Sequence, residues 1–419
     1  MSNIFTEKTP ALRRRHAAEL RFQWIGRLSI LIAISFLVVM VGTIGWMGIG
    51  AFRQTHVEIP VYLDAAEIDR NDLAQADYAR LIKAALRSRF PDVKKRRDKR
   101  KLYALLSSEA SFTLKQHVLD NPDIIGRTEK FWFIASDDMD MLIKGNLTVD
   151  DEGAAGRLTA KQVGWIETLK QDDAIETRFN TRFFTSGDSR EPELAGILSA
   201  LVGTAFTLLI CFLMSFPIGI MAAIYLEEFA KKNRWSTLIE ININNLAAVP
   251  SIVFGLLGLA VFLNVFGLPR SSPLVGGMVL SLMTLPTIII ASRASLRAVP
   301  PSIREAALGI GASQVQAAFH HVVPLALPGM LTGAIVGMAR ALGDTAPLLM
   351  IGMVAFIVDI PTGVLDKATA LPVQIFLWAD SPERGFMEKT SAAILVLLVF
   401  LVLMNLVAII MRRKFEQRF

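Results

Sequence analysis

Long runs of apolar residues without charge constrain this chain more than any other feature. Leu28–Phe52 is 25 residues long and carries no charged side chain. A helix needs about 20 apolar residues to cross the hydrocarbon of a bilayer. Gly and Pro interrupt the runs, which favours helices packed against one another over isolated ones. The sequence therefore predicts six membrane spans, the first at 28–52 and the others near Leu194–Leu226, Ile239–Leu268, Leu274–Ala291, Leu325–Val358 and Ala392–Met411.

The charged residues are concentrated between the first two runs. Of 82 charged side chains, 47 lie from Arg53 to Pro192, with 24 acidic and 23 basic. This distribution excludes a single soluble domain, and the lone Cys211 excludes a disulfide scaffold. The predicted organisation is a terminal segment 1–27, a first span 28–52, an insert 53–192, a membrane core 193–411 and a tail 412–419.

The insert, residues 53–192, is long enough to bury its own core. We predict an α+β fold in which the first and last strands pair, with helices at Leu73–Phe90 and Leu102–Val118 and strands at Val57–Leu63, Phe131–Ile134 and Ile175–Phe184. Seven of the eight residues Lys94–Lys101 are basic; they form either a solvated helix face or a patch for an anion or an acidic partner. His117 has no second ligand at suitable spacing, so we predict no metal site.

The positive charges predict the orientation in the membrane, because short cytoplasmic flanks carry the excess of Lys and Arg. With the N-terminus inside, the inner segments hold sixteen basic residues and the short outer loops hold four. We therefore expect a multi-pass membrane protein with both termini in the cytoplasm. The insert is then outside the membrane, where nucleic acid is not a plausible partner.

The segment between the fourth and fifth runs, about residues 298–324, predicts a helix-turn-helix. Ser302 and Glu305 fit a capping box, and Ser313 with Gln316 fits a second one. Gly309 and Gly311 lie between them and are typical of a helix end. Two interpretations remain open, a surface hairpin packed on its own bundle and a docking element that presents Ala306, Ala307 and Leu308.

A charged pair interrupts the fifth run. Arg340 is the only charge from 325 to 343, and an arginine at that depth costs about 2.5–3.5 kcal/mol on insertion scales. Helical spacing places it on one stripe with Asp344 and three glycines that allow close helix approach, namely Gly329, Gly333 and Gly337. Pro347 is expected to open or kink the helix. The pair is either a structural bridge or an anion site, since a guanidinium matches phosphate-type oxygens.

Several stretches resemble ABC-importer permeases. Val249–Gly255 and Leu371–Ile375 with Ser381-Pro382 resemble segments of the PstA type. Glu305-Ala306-Ala307 with Gly311 and Val323-Pro324 resembles the EAA loop, although His321 and Val323 depart from its pattern. The stretch 339–348 resembles the A-R-x-x-G-[E/D]-T-A-P-L motif of PstA-type phosphate permeases, with Asp344 where Glu is common. The resemblance implies ATPase coupling through Glu305, Ala306, Ala307 and Gly311, a path at Arg340, Asp344 and Thr345, and packing or gating at Gly329, Gly333, Gly337, Gly343, Pro347, Pro250, Ser251 and Gly255.

The resemblance also implies a location in the inner membrane of a bacterium, with the insert in the periplasm, and a set of partners. They are a PstC-type permease, two PstB-type ATPase subunits, a periplasmic PstS-type phosphate-binding protein and membrane lipid. The chain contains no phosphate loop of the Gly-x4-Gly-Lys-[Ser/Thr] type, so ATP and Mg belong to a separate ATPase, and we expect neither a cofactor nor an enzymatic activity in this chain. A permease for sulfate or molybdate is the main alternative; a sensor receptor and a secondary transporter are weaker ones.

Overall fold

The structure, a computed structural model, describes residues 10–68, 72–147, 158–231, 233–354 and 356–415. The ends of the predicted terminal segment and tail, residues 1–9 and 416–419, lie outside this range. Five helical segments in the described residues are long and apolar enough to cross a membrane: Arg14–Phe52, Leu198–Phe229, Pro273–Arg297, Gln314–Gly343 and Gly385–Lys414. A bent pair of helices becomes a sixth candidate if it is counted as one span.

The chain begins with the long helix α1 (Pro10–Gly48), which enters the insert through a short 3-10 turn. Three antiparallel strands form a sheet in the order β2-β1-β3. The regular elements of the insert are, in chain order, β1 (Arg53–Tyr62), α2 (Tyr78–Arg89), α3 (Arg96–Tyr103), α4 (Ala110–Asp120), β2 (Thr128–Ile134), α5 (Asp137–Ile143), α6 (Ala160–Gln171), β3 (Ile175–Phe179) and α7 (Arg182–Thr185).

One face of the sheet carries the core of the insert. Alternate residues of β1 point to this face, and Val57, Ile59 and Val61 are fully buried there. Phe133 of β2 and Leu114 of α4 pack into the same cluster. β1 pairs with β3 from Arg53 to Val57, so the strand that leaves the membrane lies beside the one that returns to it.

The membrane part follows the insert. Its elements are α8 (Leu198–Ile224) with a π-helical turn (Tyr225–Phe229), α9 (Arg234–Ala247), α10 (Ser251–Gly258) with a π-helical turn (Leu259–Val265), α11 (Pro273–Arg297), α12 (Pro301–Gly309), α13 (Gln314–Gln316), a π-helical turn (Ala317–Val322), α14 (Val323–Gly343), α15 (Ala346–Met350), α16 (Leu371–Ala379) and α17 (Gly385–Phe415). α11 packs against α8, α9, α10 and α14 and forms the centre of the bundle.

Two of the predicted spans are not continuous helices, and in the second the opening predicted at Pro347 is present. The run Ile239–Leu268 is split into α9 and α10, which meet at an angle of 100°. Pro250 has no N–H to donate and disfavours a helical conformation at Val249, which explains the break. The run Leu325–Val358 leaves helical geometry after Gly343, because Asp344 is extended with φ −94° and ψ 106°.

The insert is fastened to the start of α17. The backbone N–H of Gly385 donates to Oδ2 of Asp137, the first residue of α5, over 3.3 Å. Nζ of Lys144 lies 3.2 Å from Oε2 of Glu388 and 2.5 Å from Oδ2 of Asp140, and all three side chains are largely buried. The first and last long helices are therefore held together at this end of the bundle, which we call the insert end.

Candidate translocation and coupling sites

Arg340 lies halfway across the membrane part. Its helix neighbour Gly337 approaches Thr284, whose hydroxyl lies 3.5 Å from Sγ of Cys211. Cys211 is 13 residues beyond the first residue of α8, hence about 20 Å from the insert end at 1.5 Å per residue. Arg340 is one turn nearer to that end, so its depth is about 15 Å, the middle of a hydrocarbon layer about 30 Å thick.

A structural bridge between Arg340 and Asp344, one of the two alternatives for this pair, is not formed. Arg340 is exposed on the surface of the chain, and none of the ion pairs among the described residues includes it. Asp344 and Thr345 are half-buried and follow the helix end instead of continuing the stripe. The helical spacing failed here because it assumes a helix that runs through Asp344.

The break after Gly343 places irregular backbone at membrane depth. Pro347 is buried in the first turn of α15 and has no N–H for the carbonyl of Gly343, so the hydrogen-bond ladder stops at this point. Gly343 itself faces open space rather than a packed helix. Non-helical backbone within a bilayer is tolerated only where protein covers it or where it lines a water-filled cavity. The break and Arg340 thus have the properties of a polar path.

The second break, at Pro250, lies beside the first. A Cβ added to Gly255 would lie 2.7 Å from Cα of Pro347, and one added to Gly258 would lie 3.3 Å from Cγ2 of Ile351. α10 and α15 therefore run side by side in the same direction, which places Ser251 near the level of Gly343–Asp344. The free N–H groups at the start of α10 add partial positive charge on this side of the bundle.

The glycine stripe of α14 packs against α11. A Cβ at Gly329 would meet Oγ of Ser295 at 2.3 Å, and one at Gly333 would meet Cβ of Ala291 at the same distance. At Gly337 the nearest atoms of α11 are 3.7 Å away. α14 and α11 therefore diverge towards the insert end, and this divergence leaves room for Arg340, one turn after Gly337.

The predicted helix-turn-helix is present, with one capping box instead of two. Ser313 and Gln316 cap each other's backbone N–H groups at the start of α13. The box at Ser302 is wrong, because α12 begins at Pro301, whose fixed φ suits a first helical residue and whose missing N–H needs no cap. Gly311 turns the chain with φ +92°, a conformation that favours glycine.

The outer face of α12 is exposed and carries both charged and apolar side chains. Glu305 and Ala306 are both exposed on it, and Ile310 at its end is 84% exposed. Ala307 is 4% exposed and packs inward. The expectation that this residue is presented for docking is therefore wrong. Leu308 extends the same exposed surface. Exposed apolar side chains beside a charged one are typical of a protein interface.

A cluster of charges that the sequence analysis did not identify holds this loop against α8. Arg304 of α12 donates to the carboxylate of Glu228, with Nη2 2.7 Å from Oε1, and to the backbone carbonyl of Val299. The carbonyl of Glu228 accepts from Nε2 of Gln314 over 3.0 Å. One residue at the end of α8 thus contacts both helices of the loop.

Neighbouring residues extend the cluster to α9 and α11. Glu227 lies 2.6 Å from Nε of Arg293 and 2.9 Å from Nη2 of Arg297. Nη2 of Arg293 also lies 3.0 Å from Oε1 of Glu240 in α9. The signal in the sequence is the pair of acidic residues directly after an apolar run. The positive-inside pattern explains the arginines as orienting charges and does not indicate that they pair with these carboxylates.

Two protein-family models match the chain. Residues 215–419 match the family described as "Binding-protein-dependent transport system inner membrane component". Residues 9–152 match a domain of unknown function, DUF3333, which corresponds to α1 and most of the insert.

Named relatives match the membrane part. The chain is 30% identical over 218 residues to "Phosphate transport system permease protein PstA 1" of Mycobacterium tuberculosis (strain CDC 1551 / Oshkosh), which covers 52% of this chain and 70% of the relative. It is 28% identical over 223 residues to the PstA protein of Haemophilus influenzae, covering 53% and 78%. A chain of the inward-facing methionine ABC transporter MetNI is 16% identical, with a TM-score of 0.43, covering 52% of this chain and 97% of that one.

Proposed function

The chain belongs to the PstA-type family of ABC-importer permeases, and from this premise we propose that it forms half of the membrane path of an ATP-driven importer of inorganic phosphate. The observation that carries the proposal is the guanidinium of Arg340, exposed and without an ion pair among the described residues, in the middle of a membrane helix. An arginine retained at such depth faces a partner or a polar path. The N–H donors of a planar guanidinium match the spacing of the oxygens of phosphate.

The two helix breaks form the proposed path together with Arg340. Asp344 and Thr345 offer a carboxylate and a hydroxyl beside the arginine, and a protonated phosphate oxygen donates to such a carboxylate. Ser251 and the N–H groups at the start of α10 approach from the other break. Gly255 and Pro347 keep the two short helices in contact, so that both breaks move as one unit when the path changes sides.

The exposed face of α12 is the proposed ATPase contact. Glu305, Ala306 and Leu308 would lie in a groove of the ATPase, with Gly311 as the turn that sets the angle of the loop. ATP and Mg would be held by two PstB-type subunits, and this chain performs no chemistry on them. A PstC-type permease would supply the other half of the path, and a periplasmic PstS-type protein would deliver phosphate.

The orientation that we propose has both termini in the cytoplasm and the insert in the periplasm. It requires six spans, with α9 and α10 crossing together as a broken one. The excess of basic residues at the loops of the end opposite the insert supports it. The protein would then be a multi-pass component of the inner membrane.

The test is phosphate uptake by cells whose permease carries Arg340→Gln. We expect uptake to fall at least tenfold, because the neutral amide lacks the charge-assisted fork that the anion requires. Arg340→Lys keeps the charge without the fork and should retain a part of the activity. Arg270→Gln, which removes an exposed charge from the loop before α11, is the matched control and should transport normally.

Uptake is normalised to the amount of each variant in the membrane, so that loss of protein is not mistaken for loss of transport. Normal phosphate uptake by Arg340→Gln would overturn the proposal. Growth on limiting sulfate or molybdate, measured with the same variants, distinguishes phosphate from the other oxyanions: dependence on Arg340 for sulfate or molybdate alone would assign the path to that anion.

A further inference from the structure

An apolar groove runs along the surface of the membrane part between α8, α14 and α17. Its volume is about 390 Å³, and Asn405 is the one polar residue among those that line it. Phe212 lies on α8, Leu331 and Met338 lie on α14, and Met404 lies on α17. A packed bundle would fill such a space with side chains, so the groove is shaped for an occupant from outside the chain.

The length and depth of the groove match one leaflet of a bilayer. Along α17 it extends from Phe400 to Met411, which is about 16 Å at 1.5 Å per residue. Half of the hydrocarbon layer is about 15 Å thick. By the same measure the lining of α14, from Met338 to Leu331, lies about 18–28 Å from the insert end, so most of the groove occupies the half of the membrane away from the insert. On α8 the lining begins at Ala205, about 10 Å from the insert end, so one end of the groove crosses the middle of the membrane.

The far end of the groove is flanked by positive charge. Met411, the last lining residue, is followed by Arg412, Arg413 and Lys414 in the last turn of α17. Viewed down the helix, Arg412 and Lys414 lie about 80° to either side of Met404, while Arg413 lies about 180° from it. No described carboxylate forms an ion pair with these residues. Their long side chains reach the headgroup region beside the groove.

The groove faces away from the proposed path. On α14 its lining residues Leu331, Ala334 and Met338 lie on the side opposite the glycine stripe and Arg340. We therefore propose that the groove binds an anionic phospholipid of the leaflet opposite the insert, with one acyl chain along α17 and the phosphate between Arg412 and Lys414. In the orientation proposed above this is the cytoplasmic leaflet, which is rich in anionic lipid.

The experiment is native mass spectrometry of the intact complex, extracted in mild detergent and offered phosphatidylglycerol and phosphatidylcholine at equal concentration. We expect one phosphatidylglycerol to be retained in preference. Ala408→Trp fills the groove and should lower its occupancy at least tenfold. Val402→Trp, on the exposed opposite side of α17, is the matched control and should retain the lipid.

The headgroup contact is tested separately. Arg412→Gln with Lys414→Gln should lower the preference for phosphatidylglycerol about 25-fold, near fivefold for each charge, while Arg413→Gln alone should leave it nearly unchanged. Equal retention by wild type and Ala408→Trp, or an undiminished preference without Arg412 and Lys414, would refute the proposal. So would a protein partner cross-linked in membranes to a cysteine at Ala408, since that result would assign the groove to a helix of another subunit.

Discussion

Replacing Glu228 by Gln should loosen α12 from the end of α8. The change keeps the size of the side chain and an acceptor oxygen, and it removes the charge that holds Arg304. The side chain of Glu228 is 8% exposed and that of Arg304 is 26% exposed, so the pair lies between a buried and a surface ion pair. Breaking a buried pair costs about 3–5 kcal/mol, whereas surface pairs contribute about 0–1 kcal/mol.

The guanidinium of Arg304 keeps two other acceptors, the carbonyl oxygens of Val299 at 2.9 Å and Leu296 at 2.8 Å. We therefore expect a loss of about 2 kcal/mol, which increases local opening of α12 about 30-fold. Hydrogen exchange of the backbone amides of α12, followed by mass spectrometry in the purified complex, measures this opening. Glu240→Gln removes a carboxylate from the same cluster without touching Arg304 and is the matched control.

A double-mutant cycle with Arg304→Gln isolates the pair. If the contact acts as described, the double variant exchanges scarcely faster than either single variant, and the coupling energy is about 2 kcal/mol. Unchanged protection of α12 in Glu228→Gln, or single effects that add without coupling, would show that the loop is held by packing and that the reasoning is wrong.

Three further predictions concern other parts of the molecule. Burial raises the pKa of Glu193 from about 4.5 to about 7. The contribution of Glu193 to stability is therefore present below pH 4.5 and is lost as the pH rises through 7. The thermal midpoint should fall between pH 5 and pH 8, by the equivalent of up to about 3 kcal/mol, and Glu193→Gln should remove that fall. Gly333→Ala should lower the midpoint because its Cβ would meet Ala291, at a cost of about 1–3 kcal/mol, whereas Gly343→Ala should not; equal effects would contradict the packing described. A membrane-impermeant maleimide should label Gln116→Cys in intact cells and Lys231→Cys only after permeabilisation, and the opposite pattern would invert the proposed orientation; Cys211 is buried and gives no background.

Local signals in the sequence were sufficient where one element decides the structure. The capping box at Ser313 depends on residues within one turn, and it is present. The spacing of Gly329 and Gly333 predicts a close helix contact, which is also present, but it does not say that the partner is α11. The relation between Arg340 and Asp344 was predicted wrongly because a helical wheel takes the helix for granted. Whether a helix continues through a proline depends on its surroundings as well as on the residue, and here α15 packs beside α10 after the break.

Contacts between distant residues were beyond the sequence for a different reason. Glu228 and Arg304 are 76 residues apart, and the residues around each of them do not indicate that the two side chains pair. The same holds for the parallel contact of α10 with α15, which decides that the two breaks become neighbours. One chain offers many opposite charges and many glycines, so the pairing follows from the packed bundle and not from the pattern.

The fastening of the insert to α17 has a consequence for biosynthesis. Lys144 and Glu388 are 244 residues apart, so the ribosome completes the insert long before it makes the helix that the insert contacts. Until α17 is in place, Lys144 and Asp140 are exposed to water. The hydrogen bond from the N–H of Gly385 to the carboxylate of Asp137 cannot form before then. The contact between the insert and α17 therefore forms only in a chain that has been synthesised as far as this helix. A chain truncated earlier leaves Asp140 and Lys144 exposed, and the surface around them is accessible to proteases on that side of the membrane.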